Sequence, residues 1–333
     1  MFQYESKFIH NYHRDGVVLD KNESIVYHYT SPEGLLGILD NQNVRFTDIR
    51  YMNDRSEGVY FVKKLIEYIE SNKGKFPYAE IIVNALLEDN DYNEIKRLSV
   101  TNVKFKTTST GKTKSARAFL FCTCTDPDLL NMWNYYVKNG SYQGYSVGIK
   151  VSSFLNELGT ILPKSQFVSI YYGKVLYSPK EQEEEIKNLL QSIESFANQQ
   201  LSSQEKNLTP NFLNFGEMYL KEYIDLYGVF YKHPKFSNEQ EYRFVVEFDD
   251  SFKTDQNTLI TGLKDTKISV DFCVKNGMLT PYLTIPFAYN TISRIYISPM
   301  TEFEIAKQSI KELALKKGYR TFSVWQSKIP IRY

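Results

Sequence analysis

Residues 24–48 read SIVYHYTSPEGLLGILDNQNVRFTD, and their reading decides the fold. SIVYHYT (24–30) has strand composition: Val, Ile and aromatic residues bounded by polar ones. Ser31, Pro32 and Glu33 then supply an N-cap, a proline at the first helical position and an acid in the first turn. Leu35, Leu36, Ile38 and Leu39 predict the buried face of a short helix ending near Asp40. NVRFTD (43–48) is a second strand. Along the whole chain, strands and helices mix without a regular βα alternation. The expectation is an α+β fold.

The rest of the chain extends this pattern. YMND (51–54) reads as a loop in which Asn53 or Asp54 caps a helix carrying Val59, Val62, Leu65, Ile66 and Ile69. The periodicity then weakens to Arg117, and KFKTTSTGKTKSAR (104–117) predicts a mobile basic loop. ARAFLFCTCT (116–125) is a buried strand stopped by Asp126-Pro127. DLLNMWNYYVKNG (128–140) is a helix, and SYQGYSVGIKV and SQFVSIYYGKVLY (165–177) are strands. Residues 179–232 read as a helical insertion, with Ile186, Leu189, Leu190, Ile193, Phe196 and Ala197 on one face and a second helix near Asn211–Phe230. EYRFVVEF, LTIPF, ISRIYISP and TFSVWQSKI are strands around a last amphipathic helix. No G-x-G-x-x-G or Walker loop occurs, which disfavours doubly wound nucleotide folds. The expectation is one elaborated domain over 1–333, with insertions at 55–115 and 179–232 around a bent or split mixed β-sheet.

Composition narrows the classes. A formal charge of +1 on 333 residues excludes a global polycation, so any nucleic-acid contact needs a local basic patch. Aromatic residues reach 15%, with 26 Tyr against 2 Trp. Three cysteines, Cys122, Cys124 and Cys273, form neither a zinc pair nor a disulfide framework, and suit a reducing compartment. The opening residues hold no apolar signal segment, and no run nears the ~18 apolar residues of a membrane helix. A cytoplasmic protein without membrane partners is expected. His10 and His13 are a weak metal pair without partners in sequence, and no metal is expected.

Four constellations can carry chemistry. On an extended strand His28 and Thr30 share one face, with Tyr27 and Tyr29 on the other. Such a pair suits a ribose or carboxamide, although an edge histidine bonded to a backbone carbonyl explains His28 equally. In NEQEYR (238–243), Glu239, Glu241 and Arg243 share one face of an extended segment. Carboxylates at a strand mouth can stabilise a developing cation, such as the oxocarbenium-like state of glycosyl transfer. A solvated edge with a surface ion pair is the plain alternative. In NMWNYY (131–136), Met132, Trp133 and Tyr136 either stack on a planar ligand or pack a core. Asn53, Asp54 and Glu57 read as a helix cap with first-turn acids.

Taken together, YHYT, RYMNDRSEG, MWNYY with GYSVGI, KHPKFSNEQEYRF and the terminal QSKIPIR resemble a large bacterial family of uncharacterised domains, over about residues 25–333. That family often has a histidine just before the tyrosine of its MWxxY helix. Tyr135 stands there in this chain, so no role passes from that histidine. YHYTSPEGLLGILDNQNVRF and EYRFVV are also similar to ADP-ribosyltransferases, notably the DNA-modifying toxin group. That resemblance implies an ADP-ribosyltransferase-like sheet and NAD as a substrate. His28 would hold the NAD ribose with Tyr29 and Thr30 beside it, and Trp133 or Tyr136 would pack the nicotinamide. Glu241 would direct transfer and Glu239 would position or deprotonate the acceptor. Arg243 or Arg45 would contact the pyrophosphate in competition with Arg50, and Asn53 would line the same site. The expected role is a toxin or anti-phage effector that modifies nucleic acid, with an inhibitory antitoxin protein as partner. The basic loop Lys104, Lys106, Lys112, Lys114 and Arg117 would meet that acceptor or merely tether. A protein acceptor, a non-catalytic nucleotide or nucleic-acid-binding module, and a metal-dependent nuclease remain alternatives.

Overall fold

The computed structural model describes residues 6–20, 24–52, 57–88, 117–137, 143–162, 168–203, 220, 223–224, 227–248, 269–275 and 277–330. The fold is α+β. Eleven strands among these residues form one mixed, largely antiparallel sheet. They are β1 Ile9–Asn11, β2 Ile25–Thr30, β3 Asn43–Asp48, β4 Arg117–Cys124, β5 Tyr145–Lys150, β6 Val168–Lys174, β7 Glu241–Phe248, β8 Ser269–Lys275, β9 Met278–Pro286, β10 Ile292–Ile297 and β11 Ser323–Gln326. The helices are α1 Tyr12–Asp15, α2 Pro32–Asn41, α3 Glu57–Ser71, α4 Pro77–Glu88, α5 Leu130–Tyr136, α6 Val151–Ile161, α7 Pro179–Ser203 and α8 Phe303–Lys317.

The opening stretch folds as read, with two adjustments. Ser31 Oγ accepts from Gly34 N at 3.2 Å and Pro32 opens α2, so the helix starts at its sequence signal. It ends one residue later than expected, at Asn41, and the left-handed backbone of the following Gln42 (φ 53°) turns the chain into β3. Leu36 is 52% exposed, so Leu35 and Leu39 alone form the fully buried stripe of α2.

Sheet order runs β1-β6-β7-β4-β2-β5-β10-β11, with β3 joining β4 to the β8–β9 hairpin. β4 pairs with β7 along its whole length, Arg117↔Phe248 to Cys124↔Glu241. On its other side β4 changes partner. It meets β2 only at Tyr27↔Cys124, then β3 at Leu120↔Thr47 and Phe119↔Asp48. The sheet therefore forks between β2 and β3.

The chain divides into two compact units, where the sequence suggests one elaborated domain. The smaller comprises 1–9, 52–116 and 174–237, so the two stretches read as insertions fold together. In it, α3 and α4 both pack on α7. Ala79 N donates to Glu194 Oε1 at 2.8 Å, so a carboxylate of α7 satisfies an orphan donor in the first turn of α4. Gln182 is fully buried and fully used: its amide donates to the Leu176 and Lys232 carbonyls at 2.7 and 3.0 Å and accepts from Tyr60 at 3.1 Å. The basic residues Lys104, Lys106, Lys112 and Lys114 and most of the helix read near 211–230 lie outside the described residues. No helix among the described residues is long and apolar enough to cross a membrane.

The larger unit comprises 10–51, 117–173 and 238–333. One sheet face carries the main core, where Phe46, Phe121 and Phe244 of the sheet pack with Phe154 of α6, and α2 and α8 add to the same cluster. The opposite face carries a smaller cluster of Tyr27, Tyr29, Cys124, Met132, Trp133 and Val137 beneath α5.

Candidate functional site

The site is built where β7 begins. A 3-10 turn, Pro234–Glu239, delivers the chain, and strand pairing starts at Glu241. Between them Gln240 takes a left-handed conformation, φ 45°. Only one other described non-glycine residue, Gln42, shares a positive φ. The Gln240 carbonyl accepts from Thr125 N at 2.9 Å and its side-chain oxygen from Thr125 Oγ1 at 3.2 Å, which pins this pivot to the end of β4. Glu239, Glu241 and Arg243 thus do not alternate along one extended segment as the sequence suggests. The pivot resets the direction of the chain, and both carboxylates become buried, at 7% and 4% exposure.

Arg243, 1% exposed, sits two residues along β7, and its Nε and Nη2 both reach Glu241 Oε2 at 2.7 Å. A solvated surface ion pair is thereby excluded. Two further groups face the acids. Burial pushes the Cys124 thiol up to about 12, and the charges of Asp126, Glu241 and Glu239 add to that, so Cys124 is no nucleophile. Burial first, then the charges of Glu241 and Glu239, hold the Tyr136 phenol protonated well above its ordinary range, while the residue stays 41% exposed. Tyr136 is therefore a protonated phenol within range of the acids' charge and partly open to solvent.

Strand pairing settles which residues share this face. Directly opposed residues project from the same side of a sheet. The row Tyr27–Cys124–Glu241 places Glu241 on the face of Tyr27 and Tyr29. Leu120↔Thr47 puts exposed Arg45 on that face too, with its guanidinium 4.5 Å from the centre of the Tyr282 ring. His28 projects to the opposite face, where its ring lies 4.8 Å from Phe121. Its Nδ1 bonds the Cys122 carbonyl at 3.0 Å, at the point where β4 has left β2 and not yet met β3. A side-chain nitrogen here replaces a missing ladder bond, which a Val or Ile could not do. The imidazole and the carboxylates are thus not brought face to face.

Burial lowers the His28 pKa below its ordinary value, partly offset by the Cys122 carbonyl. A folded-state pKa below the unfolded one means the unfolded chain binds the extra proton, so stability falls as pH drops through about 6.5. His28→Gln is expected to remove up to one proton's worth of that slope, about 1.4 kcal/mol per pH unit. Urea unfolding at pH 7.5 and 5.5 measures it, and equal slopes in both proteins would refute it.

The other expected ligand contacts sort by burial. Tyr29 and Trp133 meet edge to face at 4.8 Å, at 4% and 0% exposure. The Tyr29 hydroxyl donates to the Asp126 carbonyl and accepts from Leu129 N, while the Trp133 indole donates to Asp128 Oδ1 at 2.8 Å. Both rings pack the core and present no face to a ligand. Thr30 is buried against the first turn of α2, where a Cβ at Gly34 would collide with its hydroxyl. Asn53 and Asp54 lie outside the described residues, as does the side chain of Arg50. The described residues hold no cluster of three or more metal-ligating side chains.

What sequence reasoning missed is Asp128. Its Oδ1 accepts from Trp133 Nε1 and Ser327 Oγ at 2.8 and 2.6 Å, and its Oδ2 from Lys328 N at 2.7 Å. This carboxylate ties the QSKIP segment to α5. Its signal was the co-occurrence of DLLNMW and QSKIP, which no local pattern connects.

A family model described as a protein of unknown function (DUF2971) matches residues 132–244. The match runs from Met132 in α5 to Phe244 in β7, and so encloses Tyr136, Glu239, Glu241 and Arg243 and leaves His28 outside. No curated protein and no solved structure matches the chain.

The pivot itself is testable. Left-handed backbone is open to glycine and poorly open to β-branched residues. Gln240→Gly is expected to change stability by less than about 1 kcal/mol and Gln240→Val to cost about 2 kcal/mol. Equal urea midpoints for the two variants would count against the pivot.

Proposed function

We propose that this chain is an NAD-dependent ADP-ribosyltransferase that modifies nucleic acid, as a toxin or anti-phage effector would. The observation that carries the reading is the buried Glu239–Glu241 pair at the mouth of β7, with Tyr136 over it. In this reaction the bond between nicotinamide nitrogen and ribose C1′ breaks, its electron pair leaves with neutral nicotinamide, and positive charge develops on the ribose. A fixed carboxylate in a water-poor site stabilises that charge more than it stabilises neutral ground-state sugar. Glu241 is held for this by the double contact with Arg243. An acceptor nitrogen or oxygen then attacks C1′, and its proton passes to Glu239, which lies in the same group of acids.

The remaining roles follow from exposure. The partly exposed Tyr136 suits the flat nicotinamide. Arg45, exposed on the same sheet face, is the guanidinium available to a pyrophosphate. Arg243 is committed to Glu241 and orients it. His28 serves the fork of the sheet and is not assigned to the dinucleotide.

Incubation with NAD and total nucleic acid, read by nicotinamide release and by a mass gain of one ADP-ribose, tests the reading. Activity lost in Glu241→Gln supports it. Binding of NAD with no nicotinamide released in the presence of nucleic-acid or protein acceptors would replace it with a non-catalytic binding module.

A further inference from the structure

We propose that the β5–β10–β11 end of the sheet, on the face that carries Glu241, is a stacking platform for single-stranded nucleic acid, centred on Trp325 and Tyr296. The inference deepens the transferase reading, on which its role in presenting an acceptor rests; binding itself does not require NAD.

Pairing registers define the surface. Tyr29↔Ser146, Ser146↔Tyr296 and Tyr296↔Trp325 form one row across β2, β5, β10 and β11. Tyr27↔Gly148, Gly148↔Arg294 and Arg294↔Ser323 form the next, and this row continues through Cys124 to Glu241. The aromatic rings, the guanidinium and the acid pair therefore share one face. Gly148 keeps the second row low, since a Cβ there would lie 3.0 Å from the Tyr27 ring and 3.2 Å from Arg294 Cβ.

Trp325 is 47% exposed on an edge strand, in stacked orientation on Tyr296 at 6.3 Å between centroids and 19° between planes. Tyr296 in turn meets Tyr27 edge to face at 5.9 Å. The Trp325 indole is held by a 2.7 Å bond from its Nε1 to Ser323 Oγ, so its ring is oriented before any ligand arrives. A large flat ring fixed in this way has little entropy left to lose on stacking. An edge tryptophan kept merely for stability would be turned inward.

Charge selects the occupant. β2, β5, β10 and β11 contain no aspartate or glutamate, while Lys150 and Arg294 stand on the platform face and exposed Lys328 follows β11. Of the two carboxylates in the loop before α5, Asp128 accepts three hydrogen bonds and Asp126, whose charge reaches Tyr27, accepts one from Asp128 N at 2.9 Å. A polyanion with flat bases matches cations set beside an exposed ring backed by a half-buried one, and base stacking on such a ring tolerates any sequence. Five inter-strand steps of ~4.8 Å separate Trp325 from Glu241, about 24 Å, a span for several nucleotides. Met132 and Trp133 of α5 and Ile329 pack over the middle of that path, while Trp325 at one end is 47% exposed and Tyr136, near the acids at the other, is 41% exposed.

Fluorescence anisotropy of labelled 15-nucleotide dT and rU strands against the full chain, at low salt and without NAD, tests the platform. Both strands are expected to bind, with affinity falling as salt rises and with tryptophan emission quenched. Trp325→Ala is expected to weaken binding about tenfold, Trp325→Phe to keep most of it, and Arg294→Gln to weaken it and flatten the salt dependence. Preference for one strand over the other tells RNA from DNA as the acceptor. No binding by either strand, or binding unchanged in both Trp325→Ala and Arg294→Gln, overturns the proposal. Binding that persists when no ADP-ribose is ever transferred upholds the platform and removes only the transferase reading.

Discussion

On the transferase reading, Glu241→Gln is expected to fold at a cost of about 2 kcal/mol and to release nicotinamide about 100- to 1,000-fold more slowly, whereas Glu241→Ala loses activity and more stability. The difference lies in Arg243. Its guanidinium is 1% exposed and places two nitrogens 2.7 Å from Glu241 Oε2. A glutamine still offers an oxygen at that point, so the cation keeps a hydrogen-bond acceptor while the site loses a formal charge. Alanine removes the acceptor and opens a gap beside a buried cation, at a cost of about 3–5 kcal/mol. Arg243→Met on the Glu241→Ala background removes the stranded charge as well, and is expected to recover a large part of that loss without recovering activity. Urea unfolding of the two single variants and the double variant gives the coupling, and nicotinamide release gives the chemistry. Wild-type turnover in Glu241→Gln would show that the charge of this carboxylate is not used. Additive stabilities would show that the pair is not coupled.

The elements around this site were more legible in the sequence than the site itself, and the limits are physical. Strand composition and the Ser31-Pro32 cap located β2, α2 and β3 to within a residue or two, because those signals are local. The acids before β7 were legible as a cluster, but their geometry was not. An extended reading of NEQEYR assumes a period of two, and the left-handed Gln240 breaks it at the position that matters. His28 shows the other limit. Alternation correctly set it opposite Tyr27, yet which of the two faces Glu241 depends on the register of β4 between them, and register is a property of pairing that no single strand encodes. Helix α6 was missed because it follows β5 with no intervening loop, so VSSFLNELGTI reads as the tail of a strand. Trp133 and Tyr29 illustrate why aromatic residues near a candidate site are ambiguous: the same rings that would line a ligand also fill a core, and burial decides.

The second large effect is expected at Asp128. Asp128→Ala should destabilise the protein by about 3 kcal/mol, since three donors lose a charged acceptor at once. Asp128→Asn keeps the shape and one oxygen, which can still serve Trp133 and Ser327, but turns an amide toward Lys328 N. Its expected cost is about 1–2 kcal/mol, near that of one unmade bond. The consequence for the site runs through α5. The residue before this seven-residue helix, Leu129, provides no side-chain cap, so the Trp133–Asp128 bond is a main anchor of its first turns, and Tyr136 at its end reaches Glu239 and Glu241 only while α5 is held. Loss of Asp128 should therefore lower nicotinamide release even at temperatures where the protein stays folded. It should also free the segment 327–330, whose tether to Ile297 by Ser327 N would remain. Trp133 emission in a Trp325→Phe background reports the first change as a red shift, and tryptic cleavage after Lys328 reports the second. A variant that loses less than about 0.5 kcal/mol and keeps Lys328 protected would mean that these three bonds form without stabilising the native state.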